Sequence, residues 1–409
     1  MKFYKYILFV VVLIIITDTF RYLSWIEYLN IEYSTYIIVF LNYLSLIFII
    51  YIAYKTSRYI EFDNRSRVLM KFWIFLNLFN ILRGAILANN YWDWKFLFLS
   101  SITFSFVSFV FYIGGNFLIV RKIFRLFLRY IFIFGFLIIP LSITNQELYS
   151  RLMIPISFFI IFIPYFKPKS RLLIIIVAIF SIILVLGFRT NIIKITISLF
   201  ILFVYYFRKI ISLRIIRLVH LSFFIIPLIF IFLSLFGTYN IFQEIAKNED
   251  YLVIENNDIS EDLLADSRSF LYYEVASSMN GVTEWIFGKS LSKGYNSVWF
   301  YDTGGALNGI RYSTEVNILN IFLYHGLIGV SLYFLLLFTV SYHAILNSNN
   351  FISKMIGLLI ASRWFLSFIE EFSQFDLNFF FFWLIIGLVS SKYFKKMSDN
   401  EVKELLYKL

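Results

Sequence analysis

Stretches of about 20 residues with scarcely a charged side chain recur along most of the chain, far more than one soluble core could bury. Inside hydrocarbon every backbone N–H and C=O must find its partner within the segment or in a closed barrel, and nothing here alternates as a barrel strand would. Composition agrees: of 409 residues 60% are hydrophobic and 15% charged, against about 45–50% and 25% in soluble domains. The expectation is an all-α integral membrane protein with twelve transmembrane helices, near 4–20, 33–54, 68–88, 96–120, 126–143, 149–166, 171–187, 191–207, 218–237, 315–339, 355–369 and 377–392. The first run leads into Asp18-Thr19-Phe20-Arg21 without a small-residue cleavage pattern, so it is read as a span and not a removable signal.

Charge sets the orientation. With the N-terminus in the cytoplasm, the inner segments collect Lys55, Arg58, Arg65 and Arg67; Arg121, Lys122, Arg125 and Arg129; Lys167, Lys169 and Arg171; Arg208, Lys209, Arg214 and Arg217; and the lysines after residue 391. The short outer loops hold only Arg21, Lys95, Arg151, Arg189 and Lys194. That alternation assigns both termini to the cytoplasm of a multi-pass protein. The net charge of +11 is thus a topology signal, and nucleic acid is excluded as a partner. With no cysteine and three scattered histidines, disulfides, thiolate zinc, iron–sulfur clusters and Cys nucleophiles are excluded, and little remains for a His-built metal site.

Every connection is short except residues 238–314, which separate spans 1–9 (1–237) from spans 10–12 (315–392) and a cytoplasmic tail (393–409). A loop of that length is usually functional. Asp258-Ile-Ser-Glu261 looks like a capping box opening a helix that runs to about Gly281, with Leu264, Leu271, Val275 and Met279 on one face and Arg268 in its midst. The rest of the loop, with Gly288, Gly294, Gly304, Gly305 and Gly309, reads as turns and coil.

Three constellations carry chemistry. Arg189 sits in the outer hairpin Gly187-Phe188-Arg189-Thr190-Asn191, either as an interfacial anchor or as a ligand contact. Arg268 either meets phosphate headgroups from a surface helix or faces an anionic ligand, where its planar fork suits phosphate oxygens. Glu315, Asn317 and Asn320 open a re-entering span whose Gly326 and Gly329 form a small-residue notch. His220, His325 and His343 are expected to be hydrogen-bonded packing residues. Arg363, mid-span, is expected to pair with Glu370 or Glu371 or to make a further phosphate contact, and Arg83 to snorkel.

In this order, the arginine hairpin, the large outer loop with Arg268, Gly288 and Gly294, and the span ending Gly326-Leu-Ile-Gly329 resemble the O-antigen polymerase and O-antigen ligase family of bacterial membrane glycosyltransferases, over roughly residues 170–340. The resemblance implies an enzyme of the bacterial inner membrane using no nucleotide sugar, cofactor or essential metal. Its donor and acceptor would be glycans on undecaprenyl pyrophosphate at the outer leaflet, joined into an O-antigen or capsule type polysaccharide, with a chain-length regulator as protein partner. Arg189 and Arg268, with Arg311 or Lys293, would clamp the pyrophosphate. Glu315, Asp266 or Glu274 would take the hydroxyl proton. Tyr272, Tyr273, Tyr295, Trp299, Tyr301 and Tyr312 offer faces for sugar rings, or else mark the interfacial belt, and Asn317 is a further substrate contact. In the ligase branch a histidine followed by asparagine stands near the position of Glu315-Val316; residues 238–314 contain no histidine, which favours a polymerase. The competing class is a transporter or flippase of lipid-linked sugars, whose two related halves are not seen here.

Overall fold

The computed structural model describes residues 4–23, 35–142, 146–184, 189–235, 269–298, 309–370 and 374–409. It is about 81% helical. A helix, or a run of short consecutive helices, lies on each stretch that hydropathy marks. Among the described residues seven are long and apolar enough to cross a membrane: Tyr36–Ser57, Asn64–Leu87, Tyr91–Gly114, Gln146–Tyr165, Arg189–Tyr206, Leu213–Leu233 and Asn317–Leu346. Their outward faces are apolar, as lipid requires; Leu82, Ile86, Leu218 and Phe232 are all more than 60% exposed.

Several helices are not straight. Tyr91–Gly114 widens into a π-turn at Leu97–Ser101, and the Phe98 carbonyl takes the Tyr43 hydroxyl (2.7 Å). A second π-turn, Phe127–Ile131, interrupts the next segment. The Leu377–Ser390 helix is buried along its whole length and crosses the Val110–Gly114 helix backbone to backbone. A Cβ on Gly114 would stand 2.0 Å from the Leu384 carbonyl oxygen, and one on Gly387 2.0 Å from that of Phe111. Only glycine permits that approach.

The loops join in two sets at opposite ends of the Asn64–Leu87 helix. At its start, Asp63 N–H donates to the Ser390 carbonyl (2.9 Å), and Asp63 pairs with Lys395 (3.8 Å). At the same end, Asn350 donates to the Phe394 and Met397 carbonyls, and Asp399 accepts from Tyr165 and from Phe351 N–H. Residues 393–409 are therefore no loose tail: Phe394, Val402 and Leu406 are fully buried. At the other end, Arg83 meets Phe287 and Gly288 of the long loop, described below. The segments that charge assigns to one side thus meet each other.

Burial by itself pushes the Asp63 carboxyl up, but Lys395 and the Ser66 N–H hold it below the ordinary carboxylate range. A depressed folded value means that its stabilisation is present above the unfolded pKa of about 3.9 and disappears as pH falls through the folded one. Asp63→Asn should therefore lower the thermal midpoint in detergent at pH 7, and the gap to wild type should close below about pH 4. A gap independent of pH would dismiss this ion pair as a stabiliser.

Candidate functional site

Residues 281–289 of the long loop dock onto a broken helix. Asn317–Leu346 is interrupted at Gly326, where φ is 64° and ψ −161°, a conformation open essentially to glycine alone. Gly288 (φ 75°) lies against that break: a Cβ there would come 2.5 Å from the His325 nitrogen, and one on Gly326 2.4 Å from the Gly288 nitrogen. Lys289 N–H donates to the Leu323 carbonyl (2.7 Å). Arg83 closes the joint, donating to the Phe287 carbonyl (2.7 Å), to the Gly288 carbonyl and to Asn80 Oδ1 (3.1 Å). It does not snorkel, because the carbonyls at the C-terminal end of the Gly281–Phe287 helix lie within its reach. Gly329 is small because the kink brings His325 over it, its Cβ position being 2.2 Å from that of His325. The histidines behave as expected: His325 Nδ1 meets Asn80 Nδ2 (2.8 Å), His220 Nε2 meets Ser341 Oγ (2.7 Å), and His343 Nδ1 meets Asn347 Nδ2 (2.9 Å).

Within the loop the described helix is Ser269–Ser277, with Leu271, Val275 and Met279 buried. Gly281 (φ 78°) does not end it but opens a second helix, Gly281–Phe287. The remainder is not all turn and coil either, since Tyr295–Asn296 and Ile310–Arg311 form an antiparallel pair. Gly294 lets the strands close up, its Cβ position lying 2.5 Å from the Arg311 carbonyl oxygen. Asp258, Glu261, Leu264, Asp266, Arg268, Trp299, Tyr301, Gly304 and Gly305 lie outside the described residues.

Several expected substrate contacts serve the fold instead. Tyr312 is buried, stacks on Phe96 (centroids 4.1 Å apart) and donates to Asp93 Oδ1 (3.0 Å), so its ring offers no open face to a sugar. Burial, then the Asp93 carboxylate, raise its phenol pKa and keep it a donor. Tyr295 is fully buried, its phenol pushed up to about 12 by that burial. The Tyr272 hydroxyl donates to the Phe368 carbonyl (2.5 Å), which fixes its ring. Tyr273, by contrast, is 76% exposed and keeps the offered face. Lys293 pairs with Asp93 (2.5 Å), and Arg311 with Glu315 (2.9 Å). Glu274 accepts from Ser297 Oγ (2.9 Å) and Val298 N–H (2.8 Å). Asn317 is buried at the start of its helix, its N–H directed at the Glu370 carbonyl (3.5 Å).

Arg189 differs from these. It begins the Arg189–Tyr206 helix, is exposed, and has no partner among the described residues. Two and five positions on, Asn191 and Lys194 share a helical face. They line a narrow crevice of about 10 Å³ with Ser150, Ser157 and Ser181 and with the apolar side chains of Met153, Ile156 and Ile195. Asn191 donates to Ser150 Oγ, and Lys194 is 95% buried. Near this crevice stands a charge network whose local pairs have helical spacing but whose long-range meetings no spacing in the sequence announces. Arg151 pairs with Glu147 (3.1 Å) and lies over the Tyr22 ring; Arg21 donates to Gln374 (3.1 Å) and sits 3.9 Å from Asp18. Asp376, which caps the Leu377–Ser390 helix, feels Arg151, Lys194 and Arg21 together. Arg363, fully buried, donates to Ser157 Oγ (3.0 Å) in the lining of the crevice and lies 4.5 Å over Phe158. Of its two expected partners, Glu370 and Glu371, the second lies outside the described residues.

No family model, curated protein or solved structure matches the chain. The signal for this missed network was present in one form: Asp18, Lys194, Arg363 and Asp376 are charges placed in or beside apolar runs, and such charges mark sites by default.

Proposed function

We propose that the chain is a membrane glycosyltransferase that joins oligosaccharide repeat units carried on undecaprenyl pyrophosphate, at the outer leaflet of a bacterial inner membrane that it crosses twelve times with both termini inside. The observation that carries this is Arg189: an exposed guanidinium at the start of a helix, without a partner among the described residues, near a narrow crevice lined by buried Lys194. Free N–H groups and the positive end of the helix dipole favour an anion at that spot. The seven long apolar helices supply the bilayer setting for a lipid-linked donor.

In the proposed reaction an acceptor hydroxyl attacks the anomeric carbon of the donor. The bond from that carbon to the pyrophosphate oxygen breaks, a new glycosidic bond forms with inversion, and undecaprenyl pyrophosphate leaves. Charge builds on the leaving group, so fixed cations beside it contribute most of the catalysis. Arg189 and Arg268 take that role. Glu315, partly exposed and oriented by Arg311, receives the hydroxyl proton. Lys293 and Arg311 act in this scheme by holding Asp93 and Glu315, not by touching phosphate.

A flippase or transporter of lipid-linked sugars is the second reading, favoured by the helix broken at Gly326 beside the buried His325–Asn80 pair. The two are separated by incubating purified protein with the lipid-linked repeat alone, without nucleotide sugar. Glycans of two or more repeats are the expected product. Recovery of unaltered substrate would reject glycosyl transfer.

A further inference from the structure

At the end of the bundle that charge assigns to the cytoplasm, Arg125, Arg129, Ser170 and Lys408 line an open recess of about 450 Å³ together with Leu128, Ile133 and Leu409. Arg125 and Arg129 are exposed and four positions apart, and the π-turn Phe127–Ile131 carries the second of them. Arg121, one turn before Arg125, has a buried Nε without a hydrogen-bond partner among the described residues, and the charged group acting on it is Arg125, which repels it. Among the described residues Lys408 is the one member with an acidic partner, Glu404 at 3.2 Å. Ser170 stands in the first turn of the Pro168–Ile183 helix, whose free N–H groups face this end. The arrangement is a set of like charges, and among the described residues no acidic side chain lines the recess between them.

Two apolar rows lead away from it into the membrane region. Ile133 and Leu137 are 52% and 72% exposed; on the neighbouring Pro168–Ile183 helix Leu172, Ile175 and Ile179 share one outward face. That helix packs against both Phe127–Ile131 and Phe132–Leu137, so the two exposed rows lie on neighbouring helices. A cationic mouth over neighbouring apolar rows matches the outline of a single amphiphile.

We propose that this recess binds the phosphodiester headgroup of an anionic phospholipid through Arg125 and Arg129, with its acyl chains along Ile133, Leu137, Leu172 and Ile175. The site is independent of the glycosyl-transfer reading and stands at the opposite end from Arg189.

The test is a titration of the full chain in detergent with dioleoyl phosphatidylglycerol, dioleoyl phosphatidylcholine and inorganic phosphate, with bound lipid counted by native mass spectrometry. Phosphatidylglycerol should bind selectively. Each juxtamembrane Arg contributes on the order of 1 kcal/mol, so the double variant Arg125→Gln, Arg129→Gln should bind it about 30-fold more weakly. The pair Arg125→Lys, Arg129→Lys should keep most of the affinity, and Arg214→Gln with Arg217→Gln, on another inner loop, should keep all of it. Equal binding of phosphatidylcholine by the native protein would overturn the proposal, whether or not any variant folds. So would a well-folded double Gln variant with native affinity, or a response to inorganic phosphate matching that to the lipid.

Discussion

Gly326→Ala is expected to cost about 2–6 kcal/mol and to release the long loop from the helical bundle. Two penalties add. A non-glycine residue at φ 64°, ψ −161° stores about 1–3 kcal/mol of backbone strain. The new methyl would also sit 2.4 Å from both the Gly288 nitrogen and the Ile286 carbonyl oxygen, backbone atoms that cannot rotate away, and overpacking of that kind costs about 1–3 kcal/mol more. Against a total stability of about 5–15 kcal/mol this is a large share. If the loop swings out, Arg83 loses the Phe287 and Gly288 carbonyls, and Lys289 and Lys293 become open to trypsin. Gly281→Ala is the matched control. Its φ is also positive, at 78°, but a Cβ there meets nothing within 4 Å, so only strain of about 1 kcal/mol remains. Thermal unfolding in detergent and limited proteolysis should rank Gly326→Ala far below Gly281→Ala. Equal losses would mean that the Gly288–Gly326 contact does not hold the loop.

The difference between those glycines marks how far the sequence can be read. Hydropathy locates helices because an apolar run in lipid has one backbone solution, and helices lie over the runs at 33–54 or 377–392 with ends a few residues displaced. Charge sorts the loops, and the ties found, such as Asp63 to Lys395 at one end and Arg83 to Gly288 at the other, respect that sorting. Pairing across the chain is another matter. Arg21 meets Gln374 from more than 350 positions away, and Asp376 feels Arg151 and Lys194 from two other helices. No periodicity encodes such a meeting, because it is fixed by how whole helices pack. For the same reason Tyr312 looks like a sugar platform in sequence and proves to be a buried strut between Phe96 and Asp93. Aromatic character says that a ring prefers partial burial; which of its faces stays open depends on neighbours from other segments.

Arg189→Ala is expected to lower the rate of repeat-unit joining by about 10²–10³ while leaving the fold intact. Its exposure and lack of a partner among the described residues place the stability change within about 0.5 kcal/mol. In cells the variant should show single repeat units where the native chain gives a ladder of longer polymer. Lys194→Met must be judged differently. Lys194 is buried within the field of Asp376, and removing one side of a buried charge set costs about 3–5 kcal/mol, so any loss of activity there is mixed with unfolding. Arg189 gives the cleaner measurement. The clamp makes a further demand, since groups that act as a unit on one leaving group are non-additive. If Arg189 and Arg268 hold the same pyrophosphate, the double alanine variant should be little slower than either single one. Rate losses that simply multiply would show two independent roles and dismantle the clamp, and an unchanged ladder for Arg189→Ala would remove Arg189 from the chemistry altogether.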